Sequence, residues 1–142
     1  MANLPANGSL TLADGTLGYE WDSDSEAGLP AAALQPAGRF HQPAGLRELS
    51  ATTNVPNRQT IEDYGHLYAG TANVSHHMTM YRAPSGALVF GAGTVQWSWG
   101  LDSRHDLTPD PPEDPTVQQA TVSLFADMGA QPLALHSNLV PG

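Results

Sequence analysis

The sequence contains no cysteine. That excludes disulfides, thiolate metal ligands and a cysteine nucleophile together. Lysine is absent too, so five arginines form the whole basic complement. Against 14 Asp and Glu, they leave a formal net charge of −9. A chain this acidic lacks the electrostatic footprint for a nucleic-acid backbone, and it suits an anionic membrane surface poorly. Charged residues make up 13% of the chain, where an ordinary soluble domain carries about 25%. The polar surface must therefore rest on Ser, Thr, Asn, Gln, Gly and Pro. No apolar run approaches the ~18 residues of a membrane-spanning helix. Met1 is followed by Ala-Asn-Leu-Pro, without a basic n-region or an apolar h-region. No signal peptide is expected, which leaves the cytoplasm as the default compartment.

What is present fits one domain. The 142 residues are 40% hydrophobic, and a chain of that length buries roughly two-thirds of its unfolded surface. The 14 glycines and 12 prolines predict many turns and long loops and argue against a helical bundle.

Ser9–Ala13 alternates polar and apolar and reads as a strand. Asp14-Gly15 is a turn signal, and Thr16–Trp21 is β-prone, so a hairpin is expected there. Residues 22–45 and 102–115 read as long loops, the first with a short helical turn at Ala31–Leu34. Leu46–Val55 ends in a Thr-rich strand that Pro56-Asn57 should break. Asp63–Gly70 reads as a loop. Ser75–Arg82 alternates, with His76, Met78 and Met80 on one face and His77, Thr79 and Tyr81 on the other. Pro84-Ser85-Gly86 is a turn, and Ala87–Phe90 is a continuous apolar run, as in a strand buried on both faces. These two segments predict a hairpin that runs into Gly91–Thr94 and the aromatic segment Val95–Leu101. Residues 116–128 predict the one helix, capped by Asp114 or Thr116, with Pro115 in its first turn and Gly129 at its stop. Its apolar stripe is Val117, Ala120, Thr121, Leu124, Phe125 and Met128. Pro132 prevents continuation, and the tail is expected to be a peripheral strand or coil.

Several side chains could carry chemistry. Trp97 and Trp99 either form a platform for a flat ligand or pack inward and close the core. Gly-Ala-Gly-Thr at 91–94 lacks the Lys of a P-loop and is too short for a dinucleotide fingerprint. His76 and His77 diverge on a strand, so a shared metal would need a third ligand such as Glu20 or Asp102. No H-E-x-x-H, H-x-H or G-x-S-x-G occurs. Glu20 lies between Tyr19 and Trp21. Partial burial there would raise its pKa, as a general acid or base needs; otherwise it is an exposed carboxylate at a hairpin end.

Four blocks resemble one family: Leu17–Asp22 (L-G-Y-E-W-D), Pro43–Thr53 (P-A-G-L-R-E-L-S-A-T-T), His76–Asp102, with its hairpin and tryptophans, and Gln118–Pro132. Together they are similar to the C-terminal domain of proteins related to the large (beta) subunit of N,N-dimethylformamidase. Residues 23–42 fit less well and read as a local insertion. The resemblance implies an α/β or α+β fold: the β-rich C-terminal part of a class I glutamine-amidotransferase-like domain, with hairpins and one closing helix. It implies hydrolysis of a small amide, with an iron held by Tyr, His and Glu, in complete homologues. Many proteins with this domain are large, multidomain and bacterial. The chain resembles only the C-terminal end of the family domain, so its partners would be the missing N-terminal part or other subunits. A His would be expected two positions before the acid. If Glu20 is that acid, Gly18 stands in its place. The resemblance therefore implies a chain inactive alone and without iron of its own, in which Glu20 is the remaining participant. The alternative is a non-enzymatic binding or structural module with a Trp-lined edge.

Overall fold

The computed structural model describes residues 8–23, 43–62, 67–105 and 112–142. The turn expected at Ala31–Leu34, most of the loop 22–45, residues 63–66 and residues 106–111 lie outside the described residues. Two compact units form. One is Trp21–Gly93, the strand unit. The other joins Met1–Glu20 to Thr94–Gly142 and is the helical unit.

The strand unit is built from residue types that favour extended backbone. β1 (Arg47–Glu48), β4 (Thr79–Arg82) and β5 (Leu88–Gly91) form an antiparallel sheet in the order β1-β4-β5. Thr79 faces Gly91 and Arg82 faces Leu88 across the hairpin. The turn at Pro84-Ser85-Gly86 closes it as the sequence predicts, with Ala83 N–H donating to Ala87 O at 2.8 Å. Arg82 braces the turn by donating to Gly86 O at 2.7 Å. β5 is not buried on both faces, because Val89 is 39% exposed while Leu88 and Phe90 are half-buried. The apolar run reads as a central strand, yet β5 stands at one end of this sheet.

β2 (Thr52–Glu62) and β3 (Leu67–His76) pair antiparallel as a separate two-stranded ribbon. Here the expected breaks fail. Pro56-Asn57 does not end the strand, because the register shifts between Val55 and Arg58. Pro56 and Asn57 fall in that irregularity, where proline's missing N–H costs no ladder bond. The loop expected up to Gly70 is instead strand from Leu67 onward, with another of the three register shifts opposite Thr60–Ile61. Ser75–Arg82 is likewise not one strand. It divides at His77-Met78, where Met78 N–H donates to Ser50 Oγ at 2.9 Å and Met78 O accepts from Leu49 N–H at 2.7 Å. The chain passes there from the ribbon to the sheet. Of the expected face, His76 and Met78 are buried and Met80 is half-buried.

The helical unit contains α1 (Pro115–Asp127) and a 3-10 turn, Trp97–Gly100. The sequence signals for α1 hold within a residue. Asp114 is the N-cap and accepts from Thr116 N–H at 2.7 Å, and Pro115 occupies the first turn. Asp114 does more than cap. Its other carboxylate oxygen accepts from Ala13 N–H at 3.0 Å, and its N–H donates to Gly100 O at 2.9 Å. Val117 is fully buried, while Phe125 and Met128, on the same expected stripe, are 50% and 40% exposed. The tail is coil, docked on the helix. The Gln119 side chain donates to Val140 O and accepts from Val140 N–H, both at 2.9 Å.

The hairpin expected from Ser9 to Trp21 does not form. Thr16 sends both its N–H (3.2 Å) and its hydroxyl (2.8 Å) back to Ala13 O, and Gly18 N–H bonds Gly15 O at 2.9 Å. These turn bonds consume the groups a strand ladder would need. Thr94 then fastens the segment, donating to Leu17 O at 2.6 Å. The described residues are β-rich, with two small antiparallel sheets and one α-helix, consistent with an α+β fold.

Candidate functional site

In the strand unit the site-bearing residue is His76. It ends β3, and alternation turns it inward, where it is 4% exposed. Its Nε2 lies 2.9 Å from Ala92 O. A carbonyl oxygen only accepts, so Nε2 carries the proton of the neutral ring. Trp21 meets the imidazole edge-on, with centroids 5.8 Å apart at 88°. Gly93 closes over it with φ +64, and a Cβ there would stand 3.0 Å from Nε2. The Gly-rich segment after β5 thus serves to admit His76 rather than a phosphate. Burial holds the His76 imidazole below its ordinary range. The bond to Ala92 opposes this, His77 adds to it, and the Asp22 carboxylate opposes it.

His77 has a different partner. Its Nε2 lies 3.7 Å from the carboxylate of Glu48 on β1. The two histidines therefore engage different elements, in keeping with strand alternation. Trp21 and Glu48 are the neighbours that sequence reasoning missed. Both contacts span the chain from one element to another, and no local spacing encodes them.

In the helical unit, Trp97 and Trp99 lie on the 3-10 turn and are half-buried. Trp99 stacks on His105, with centroids 4.7 Å apart and planes 14° from parallel. His105 was not singled out by any motif. Asp102 is exposed and accepts from Arg104 N–H at 2.7 Å, closing a local turn. Glu20 is exposed beside a Tyr19 that is 70% exposed, so no aromatic shelter forms around its carboxylate. Its backbone carbonyl accepts from Val95 N–H at 3.2 Å.

Gly18, two positions before Glu20, has φ +68, and any Cβ there would collide with the Gln96 side chain. Gln96 is itself buried. A ligand-bearing residue at 18 would need both a strained backbone and a displaced Gln96. Among the described residues no three His, Asp or Glu side chains gather closely enough to hold a metal ion. The described residues do not fit the iron site that the resemblance implies.

The described residues are β-rich, of α+β type, and carry a histidine-centred cluster and a tryptophan-centred one. The family model described as N,N-dimethylformamidase beta subunit-like, C-terminal, matches residues 2–111. The chain belongs to that family. No curated protein and no solved structure matches the chain.

Proposed function

We propose that the chain is the C-terminal portion of a dimethylformamidase-large-subunit-like domain and does not hydrolyse an amide by itself. The observation that carries this reading is the family match over residues 2–111. In this reading the remainder of the larger domain supplies a parallel, glutamine-amidotransferase-like half. That half also supplies the ligands for the amide-cleaving centre, and the chain contributes its hairpin and histidine-pinned turn. Other subunits complete the assembly.

The reading frame upstream of Met1 tests this. An in-frame continuation encoding an α/β half is the expected result, and a stop codon would contradict it.

A second reading is favoured by one observation: Trp97 and Trp99 keep part of their surface exposed. In that reading the chain is a binding module that receives a flat ligand beside the Trp99–His105 stack. Tryptophan emission should then respond to such a ligand, and substitution Trp99→Ala should remove the response. Emission that stays constant across sugars and aromatic amides would rule it out.

A further inference from the structure

The ring of His76 holds two short segments at once. Its Nε2–H donates to Ala92 O at 2.9 Å, and Trp21 stands edge-on to the imidazole. The two segments are also joined to each other, because Asp22 N–H donates to Gly93 O at 2.7 Å. Trp21 and Gly93 are the two ends of the strand unit. Gly93 closes on the ring because it has no Cβ and takes a positive φ. The backbone of His76 is fixed separately, in the β2–β3 ladder opposite Thr52. The ring can therefore lose these segments while the ladder keeps its bonds.

That arrangement suits a neutral ring. An imidazolium is stable in water and costly in a buried site. Burial opposes the charge most, the Ala92 bond and the Asp22 carboxylate favour it, and His77 repels it. The other charged group at the histidine pair is Glu48 of β1, 3.7 Å from His77 Nε2. A charged His76 reaches water most cheaply by giving up segments 21–22 and 92–93. Both are short and lie outside the two sheets, whereas each ladder runs over several residues. We propose that His76 is a proton-operated latch: when its ring takes up a proton, segments 21–22 and 92–93 part from it and from each other while both sheets stay paired. The device is a histidine pH switch. It uses only contacts within the strand unit and does not depend on the amide-hydrolase reading.

Amide hydrogen exchange of the full chain at about pH 7.5 and about pH 5 tests this, with each rate corrected for the intrinsic effect of pH. The Asp22 amide should lose protection by about threefold or more on acidification. Sub-denaturing urea should leave its rate unchanged, as for an opening that exposes little surface. The substitution His76→Gln, whose side-chain amide can donate to Ala92 O without titrating, should remove the acid response. The first two readings need no variant. Unchanged protection of the Asp22 amide at the lower pH would overturn the proposal. So would a rate that climbs with urea as steeply as those of the β4–β5 ladder amides, since the event would then be global unfolding. An acid response retained in His76→Gln would overturn it too.

Discussion

The two units hold themselves together differently. In the strand unit the backbone does most of the bonding, through ladders in two sheets, and one buried side chain, His76, pins the segment after β5. In the helical unit side chains share the fastening with backbone bonds such as Asp114 N–H to Gly100 O and Val95 N–H to Glu20 O. Asp114 joins the start of α1 to Ala13, Thr94 secures Leu17, and Gln119 grips the backbone of Val140. A unit fastened by side chains has single residues whose loss is felt at several points. A unit fastened by ladders spreads its stability over many equivalent bonds and is sensitive mainly where a buried group must be matched.

That contrast can be broken by substitution. The largest effect is expected at Val117→Ala, which empties a fully buried position and should cost about 2 kcal/mol, read from thermal or denaturant unfolding. Asp114→Ala should follow, with about 1 kcal/mol for the cap and little more for the exposed Ala13 bond. Amide exchange at the first turn of α1 should rise. Asp114→Asn keeps one acceptor oxygen for the cap and loses the second, so it should restore the share of the cap but not the Ala13 bond.

The next prediction concerns pH. His76 has a lower pKa folded than unfolded, where it titrates near about 6.5. The unfolded chain therefore binds the proton more readily. The contribution of neutral His76 is complete above that value and is lost as pH falls through it toward the folded pKa. Unfolding midpoints should drop between about pH 7.5 and about pH 5. In the His76→Gln variant the drop should be smaller, because glutamine can donate to Ala92 O and does not titrate. An undiminished drop in that variant would assign the effect elsewhere. The smallest effect is expected at Arg82→Ala, an exposed brace of the hairpin turn, within about 0.5 kcal/mol. A larger value would mean that the strand unit also hangs on single side chains.

The contrast also explains what the sequence made legible. Helix α1 was readable because its signals are local: Asp114, Pro115 and Gly129 act within a turn of their own positions. The β4–β5 hairpin was readable for the same reason, through Pro84-Ser85-Gly86. The ribbon was misread at Pro56 and Gly70, because both residues sit where the register slips, and only the partner strand decides that. The absent hairpin at Ser9–Trp21 is the converse case. Its alternation suits a strand, but Thr16 and Gly18 spend their bonds on turns. Of the site, His76 was legible as sharing one face of an alternating segment with Met78 and Met80. Its partners Trp21, Ala92 and Gly93 were not, nor was His105 under Trp99, because these contacts close over loops. Glu20 drew attention through its flanking aromatics, yet turn geometry leaves it in solvent.

The central claim is that this chain, belonging to the dimethylformamidase beta subunit-like C-terminal family, does not form the amide-cleaving centre by itself. Iron content and hydrolysis of N,N-dimethylformamide, measured together on the purified chain and on its Glu20→Ala variant, test it most directly. The account predicts neither stoichiometric iron nor turnover in either protein. Stoichiometric iron together with turnover that Glu20→Ala abolishes would contradict it.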